Sequence, residues 1–249
     1  MKLLLDFGNT RCKWALLKNE ELSELNSEAY KDGSAILSLD HLLNLLPLNQ
    51  VEGVHVVSVL SDEFNASLKK KINEQTGLAL AFYFSHKEKY DVSLSYSNPL
   101  DYGADRYASL VAVHHAFSKT KIIVDYGTAV AIDAIDQDGK HLGGLILPGE
   151  ELMRSSLIGN TERVFCNKEY DDVQHLNSNT SDAVYAGSAL GLRHGIWGIV
   201  GEIRQTLGEH KVILTGGNAF QLQHELIEPY THNPTLVLDG LKTMIDFNH

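Results

Sequence analysis

Short apolar runs broken by glycine and acids set the rhythm of this chain. Lys2–Phe7 is an apolar run that stops at Gly8. Arg11–Leu17 then returns with Cys12, Trp14 and Leu16 on one side and Lys13 opposite, which predicts a strand and its hairpin partner. Ala35–Leu46 has helical apolar spacing and stops before Pro47. Val54–Leu60 predicts a strand, and Ser61-Asp62-Glu63 opens a charged helix through Lys71. Leu78–Phe84 predicts a further strand and Asp101–Phe117 a helix rich in small residues.

The opening pattern then recurs. Lys121–Val124 is apolar, Asp125 ends it, Gly127-Thr128 turns the chain, and Ala129–Ile135 returns as a strand. Asp136-Gln137-Asp138-Gly139 marks a tight turn before a third strand at Leu142–Leu147, which stops at Pro148-Gly149. Asp182–Leu207 predicts a long helix, Val212–Leu214 a strand, Gly216-Gly217 a turn, Ala219–Ile227 a helix and Leu236–Leu238 a last strand. Strands interleaved with helices predict an α/β fold. The recurrence divides the 249 residues into 1–117 and 118–249, joined by no linker richer than Ser118-Lys119-Thr120.

Composition narrows the function. A formal net charge of -11 argues against a nucleic-acid partner, since the field would repel a polyanion. No apolar run reaches the ~18 residues of a membrane span, and Asp6 interrupts the apolar core that a secretory leader needs. Cys12 and Cys166 form no C-x-x-C, which fits a reducing cytoplasm. The twelve histidines make no H-E-x-x-H and no zinc spacing.

The chemistry concentrates in two turns, Asp6-Phe7-Gly8-Asn9-Thr10 and Asp125-Tyr126-Gly127-Thr128. Each follows an apolar strand with Asp, one residue, Gly and then a hydroxyl. Glycine lets backbone N–H groups approach phosphate oxygens, and the acid holds a cation or its water beside them. Lys13 adds a point charge. Neither G-x-x-x-x-G-K-[ST] nor G-x-G-x-x-G occurs, so a P-loop or Rossmann phosphate site is excluded. In Asn98–Arg106, Asn-Pro sets an extended entry to a helix whose start carries Asp105, a candidate proton acceptor, and Arg106, a candidate partner for a substrate carboxylate. Gly143–Gly149 and Thr215–Asn218 read singly as structural turns. Gly187, Gly191 and Gly195 recur on one helix face, where another backbone is expected to approach.

Together D-x-G-N-T-x-x-K, G-A-D-R, V-D-x-G-T-A and G-G-x-I-x-P-G resemble the type III pantothenate kinases, within the acetate- and sugar-kinase, actin-like superfamily. The resemblance implies two similar actin-like (ribonuclease H-like) domains around a nucleotide cleft. It implies transfer of a phosphoryl group from ATP to the primary hydroxyl of pantothenate, in the cytoplasm, by a homodimer. Asp6, Phe7, Gly8, Asn9, Thr10, Arg11, Cys12 and Lys13 would form the first phosphate loop, and Thr128 would touch ATP phosphate. Asp105 would accept the proton, and Tyr96, Gly103, Ala104, Arg106 and Thr180 would line the acceptor site. Asp125 would hold a monovalent cation, potassium or ammonium, with Mg²⁺ accompanying ATP. Tyr102 stands where Leu is common, Tyr107 where Trp is frequent, and Val130-Ala131 where Thr-Thr is frequent. The competing expectations are another small-molecule kinase of the superfamily and a transcriptional accessory protein.

Overall fold

The computed structural model describes residues 1–166, 175–225 and 229–247. Its elements run β1 (Lys2–Phe7), β2 (Arg11–Lys18), β3 (Glu21–Leu22), β4 (Asn26–Ala29), α1 (Ala35–Leu45), β5 (Gly53–Ser58), α2 (Asp62–Thr76), β6 (Leu80–Tyr83), β7 (Glu88–Lys89), β8 (Val92–Ser93), α3 (Ala104–Ala116). They continue with β9 (Thr120–Tyr126), β10 (Ala129–Ile135), β11 (His141–Pro148), α4 (Glu150–Gly159), α5 (Thr180–Leu207), β12 (His210–Thr215), β13 (Tyr230–His232) and α6 (Leu236–Asp246). One sheet has the order β3-β2-β1-β5-β6, with β4 also on β2, and a second has β11-β10-β9-β12-β13. In both, an opening strand lies between its hairpin partner and a later parallel strand: β1 beside β5, β9 beside β12. The repetition read from the two D-x-G turns is therefore a repetition of topology.

The chain forms two compact units. Unit 1 comprises residues 1–118, 135–143 and 234–249, and unit 2 comprises 119–134 and 144–233. The first break falls between Ser118 and Lys119, and residues 135–143 and 234–249 group with the first unit.

In unit 1, Leu3, Leu5 and Phe7 of β1 join Cys12, Trp14, Val54 and Val56 in a core closed by α1 and α2. The helices start where their caps dictate. The Ser34 side chain accepts from Leu37 N, the Ser61 side chain accepts from Phe64 N, and α2 ends at Gly77 with φ +72. By alternation Leu4 and Asp6 face the other side of the sheet, where α3 and α6 pack. In unit 2, Ile122, Val124 and Tyr126 of β9 pack with Val130, Ile132, Leu192, Ile196 and Leu214.

Three expectations differ from the structure. Leu236–Leu238 begins helix α6 rather than a strand, and Leu236, Val237, Leu238, Leu241, Met244 and Ile245 are all buried. Asp239-Gly240 has the look of a turn, yet Gly240 is where α6 lies on the backbone of α3: a Cβ there would collide with Ala108. Asp101 lies in a separate 3-10 turn, Pro99–Asp101, and α3 begins only at Ala104. Ala219–Glu225 is 3-10 rather than α-helical, and the remainder of that expected helix, at Ile227, lies outside the described residues. Helix α4 and strand β13 were not expected. Along α5, nothing among the described residues lies within 4 Å of a Cβ added at Gly187, Gly191 or Gly195, so none of them brings a backbone onto that face.

Gly240 tests the α3–α6 contact by sign. Helix propensity alone predicts that Gly240→Ala stabilises by ~1 kcal/mol. Overpacking against Ala108 is expected to reverse this to a net loss of about 1–3 kcal/mol in urea denaturation. An unchanged or stabilised variant would mean that the helices are not in backbone contact.

Candidate functional site

The first D-x-G turn closes the β1–β2 hairpin. Gly8 N donates to the Arg11 carbonyl at 3.1 Å, and Tyr30 braces the turn twice: its OH donates to Gly8 O at 2.8 Å, and its N–H donates to Thr10 O at 3.0 Å. Asp6 and Lys13 are cross-strand partners on one face, and Phe7 and Cys12 are partners on the other. Asp6 is buried, while Asn9, Thr10 and Arg11 are exposed. The phenyl ring of Phe7 and the thiol of Cys12 are core groups, so these two residues can offer a ligand only their backbone. Burial, reinforced by the Asp6 charge, pushes the Cys12 thiol well up, which makes it unreactive at neutral pH.

The Asn98–Arg106 segment also lies in unit 1. Asn98 Oδ1 accepts from Leu100 N at 3.2 Å and its Nδ2 donates to Asp101 Oδ1 at 2.8 Å. Tyr102 N donates to Pro99 O at 3.1 Å, and Ser85 Oγ donates to Tyr102 O at 2.7 Å. Asp105 sits in the first turn of α3 and accepts the backbone N–H of Arg106 on Oδ1 at 2.7 Å. Gly103 makes room for that orientation, since a Cβ there would lie 2.6 Å from Asp105 Oδ1. The half-buried acid is thus fixed beside the helix N-terminus with the buried Arg106 next to it. Tyr96 is half-buried against the Tyr102 ring, with centroids 5.0 Å apart.

In unit 2, three chain reversals converge on the second D-x-G turn. Gly127 N donates to Ala129 O at 3.0 Å, Gly149 N to Thr128 O at 3.1 Å, and Asn218 N to Tyr126 O at 2.9 Å. Glycine is required at two of the arriving positions. A Cβ on Gly149 would strike Thr128 O, and one on Gly216, whose φ is +94, would strike Tyr126 O and Asp125 Oδ1. Gly149 and Gly216, read singly as ordinary turn residues, are therefore parts of this site. The half-buried Asp125 is register partner of Thr215, at the end of β12. Its carboxylate and the Tyr126 carbonyl are hard oxygen donors, of the kind that could hold a cation, with the Gly216 backbone close against both. Thr128 is half-buried in the turn itself. Thr180 is exposed at the first position of α5, capped by Asn179, whose side chain accepts from Asp182 N.

A buried ionic group beneath this turn escaped the sequence. Glu150 starts α4, is 7% exposed, and accepts Tyr126 OH at 2.6 Å. The same carboxylate meets Arg193 Nε at 3.3 Å and Arg154 Nη1 at 3.4 Å. Arg193 Nη2 also donates to Gln221 Oε1 at 3.2 Å. Burial first, then the bond to Glu150 and its charge, push the Tyr126 hydroxyl far above the usual phenol range, so it remains a donor. The Glu150 network therefore ties α4 and α5 to the residue between Asp125 and Gly127. The sequence offers only the local i,i+4 pair with Arg154; the partners that make Glu150 a buried hub, Tyr126 and Arg193, lie 24 and 43 positions away.

The duplicated α/β scaffold, each half with its strand-end D-x-G turn, is of the actin-like fold class. Solved structures agree on the fold. A Campylobacter jejuni protein described as a Baf family transcriptional activator superposes with a TM-score of 0.63 at 22% identity, covering 99% of this chain and 98% of its own. The ethanolamine utilization protein EutJ of Carboxydothermus hydrogenoformans gives 0.54 at 14% identity, covering 99% and 89%. Sequence is more specific. The type III pantothenate kinase family profile matches residues 2–202. Type III pantothenate kinases of Nitrosococcus oceani and of Pseudomonas aeruginosa strain LESB58 are each 32% identical, over 97% of this chain and 92% and 97% of theirs. The chain belongs to the type III pantothenate kinases.

Glu150→Ala leaves two largely buried guanidinium groups and a phenol without their shared acceptor. It is expected to cost about 3–5 kcal/mol in equilibrium unfolding. Glu151→Ala removes an exposed partner of the same Arg154 and is expected to stay within about 0.5 kcal/mol of the parent. Equal losses in the two variants would contradict a structural role for the buried network.

Proposed function

We propose that this chain transfers the terminal phosphoryl group of ATP to the primary hydroxyl of pantothenate, giving 4′-phosphopantothenate in the first step of coenzyme A biosynthesis. The family match over residues 2–202 carries this reading. The acid-and-arginine helix start and the two glycine turns support it from the geometry.

The proton is held at a defined place. As the new bond forms between the acceptor oxygen and the γ-phosphorus, the bond from that phosphorus to the β–γ bridging oxygen breaks, and Asp105 takes the hydroxyl proton. Arg106, Tyr96, Gly103, Ala104 and Thr180 hold the acceptor. The turn from Asp6 to Lys13 and the hydroxyl of Thr128 hold phosphate oxygens through N–H and O–H donors. Asp125 with the Tyr126 carbonyl suits potassium or ammonium, and the buried Asp6 carboxylate suits Mg²⁺ or its water shell. Bound cations there would supply positive charge against the triphosphate.

A cytoplasmic location and small-molecule partners fit a net charge of -11, free cysteines, and the absence, among the described residues, of a helix long and apolar enough to cross a membrane. The open Gly187/Gly191/Gly195 face of α5 supports a two-fold homodimer through that helix. Sedimentation at twice the chain mass is expected, and a monomer at micromolar concentration would remove this assembly.

The deciding assay is ADP release by the purified chain. Release is expected to require pantothenate, to be low in sodium or Tris buffer, and to rise with potassium or ammonium. Asp105→Asn, folded as the parent, is expected to lower kcat by roughly 10²–10⁴. No pantothenate-dependent release with both cations supplied would reject the kinase reading. Full turnover by Asp105→Asn would reject only the role of that acid.

A further inference from the structure

Arg106 is an unusual cation for a helix start: it is 9% exposed. A guanidinium in so little water needs a partner that fixes its position. Its Cζ lies 4.3 Å from the centroid of the Tyr102 ring, four residues earlier in the chain. The ring face is electronegative, so it attracts the cation. A contact through the face does not itself consume an N–H donor of the guanidinium fork.

The Tyr102 ring is in turn held from several sides. Tyr96 meets it with centroids 5.0 Å apart at 73°, and His141 meets it at 5.0 Å and 62°, both edge-on arrangements that aromatic rings favour. His141 is fully buried, and its Nδ1 lies 3.1 Å from Ser95 Oγ. The Tyr102 backbone is pinned by Ser85, whose Oγ donates to its carbonyl at 2.7 Å. These residues come from separate stretches of unit 1 and share one ring as their centre. A leucine at this position would fill similar space without presenting a charged group with a face.

We infer that Tyr102 is a positioning residue: its immobilised ring carries the Arg106 guanidinium on its face and sets where that cation receives the carboxylate of the acceptor. The inference rests on the kinase reading for the identity of the acceptor. The Tyr102 ring meets Tyr96, His141 and the Arg106 guanidinium. Its effect therefore falls on acceptor binding and leaves the chemical step and ATP binding alone.

The test grades the ring's electrostatics at nearly constant shape. Phe, 3,5-difluorophenylalanine and 3,4,5-trifluorophenylalanine replace Tyr102 in the full chain, with Tyr102→Leu as the variant that removes the face. Fluorination withdraws negative charge from the ring face, and every member of the aromatic series packs almost alike, so folding is preserved where Leu fails. Pantothenate affinity by calorimetry and KM are expected to stay near the parent for Phe and to weaken progressively with fluorination. The total change is expected to reach roughly 3- to 30-fold, with kcat and the KM for ATP unchanged. A flat series overturns the inference, and so does a series in which kcat and the ATP KM move together with the pantothenate KM, the signature of general loosening. If the parent releases no ADP with pantothenate, the kinase reading fails by that result. The calorimetric series still decides the ring's role: graded carboxylate affinity upholds it, and flat or absent affinity overturns it.

Discussion

The Tyr126 carbonyl is the crossroads of unit 2. It accepts Asn218 N at 2.9 Å, and Gly216 passes so close that only a residue without a Cβ fits. Gly149 makes the same demand one step along, at Thr128 O. A strand-end acid can hold a cation beside a polyphosphate only when the following backbone turns away at once and neighbouring chain ends come close enough to add their own donors. Backbone approaches of that kind leave no volume for side chains. The positive φ of Gly216 adds a second reason why no other residue is easily accommodated. Packing of β9, the orientation of Asp125 and the buried Glu150 network all serve to keep this crowded carbonyl in place.

Charge burial in unit 2 has the same origin. Helix α4 begins at Glu150 immediately after Gly149, so the reversal that brings Gly149 onto Thr128 also carries a carboxylate into the core. Isolated there, it would be costly. Two guanidinium groups from α4 and α5 and the Tyr126 phenol compensate it. A buried ion pair of this kind adds little net stability over an apolar replacement, but it fixes relative register, since each partner is useful in only one position. The sites in unit 1 use neutral braces instead, Tyr30 on Gly8 and Ser85 on Tyr102.

What the sequence disclosed follows from the range over which each signal acts. Strands β1, β2 and β9, and the Ser61 start of α2, were legible because alternation and capping are local. The two D-x-G turns were legible because they repeat. Helix α6 was misread because Leu236–Leu238 is a short apolar run that a strand and a buried helix share, and the α3 backbone at Ala108 on which the helix packs lies more than a hundred residues away in the chain. Gly149 and Gly216 looked like common turn glycines for the same reason: what demands them is another segment. Arg193 and His141 have no local signature, and Glu150 shows only an ordinary i,i+4 pair with Arg154, because each acquires its meaning from partners that the fold supplies.

This division of labour also bears on which departures from the family pattern can matter. In the proposed reaction, phosphate recognition by the two turns would rest largely on backbone N–H groups, and backbone is indifferent to side-chain identity. Val130 illustrates this: it stands where threonine is frequent in the family pattern, and its side chain is fully buried in the unit 2 core. The acceptor side is built differently. In the proposed reaction Asp105, Arg106 and Tyr96 would act through side chains, whose positions depend on what they pack against. A change at Tyr102, which lies under a buried guanidinium, can therefore shift recognition of the acceptor even though the acid and the arginine are both retained. On the proposed roles, divergence at the two turns would be absorbed by the backbone, while divergence beneath Arg106 would alter how a carboxylate is held.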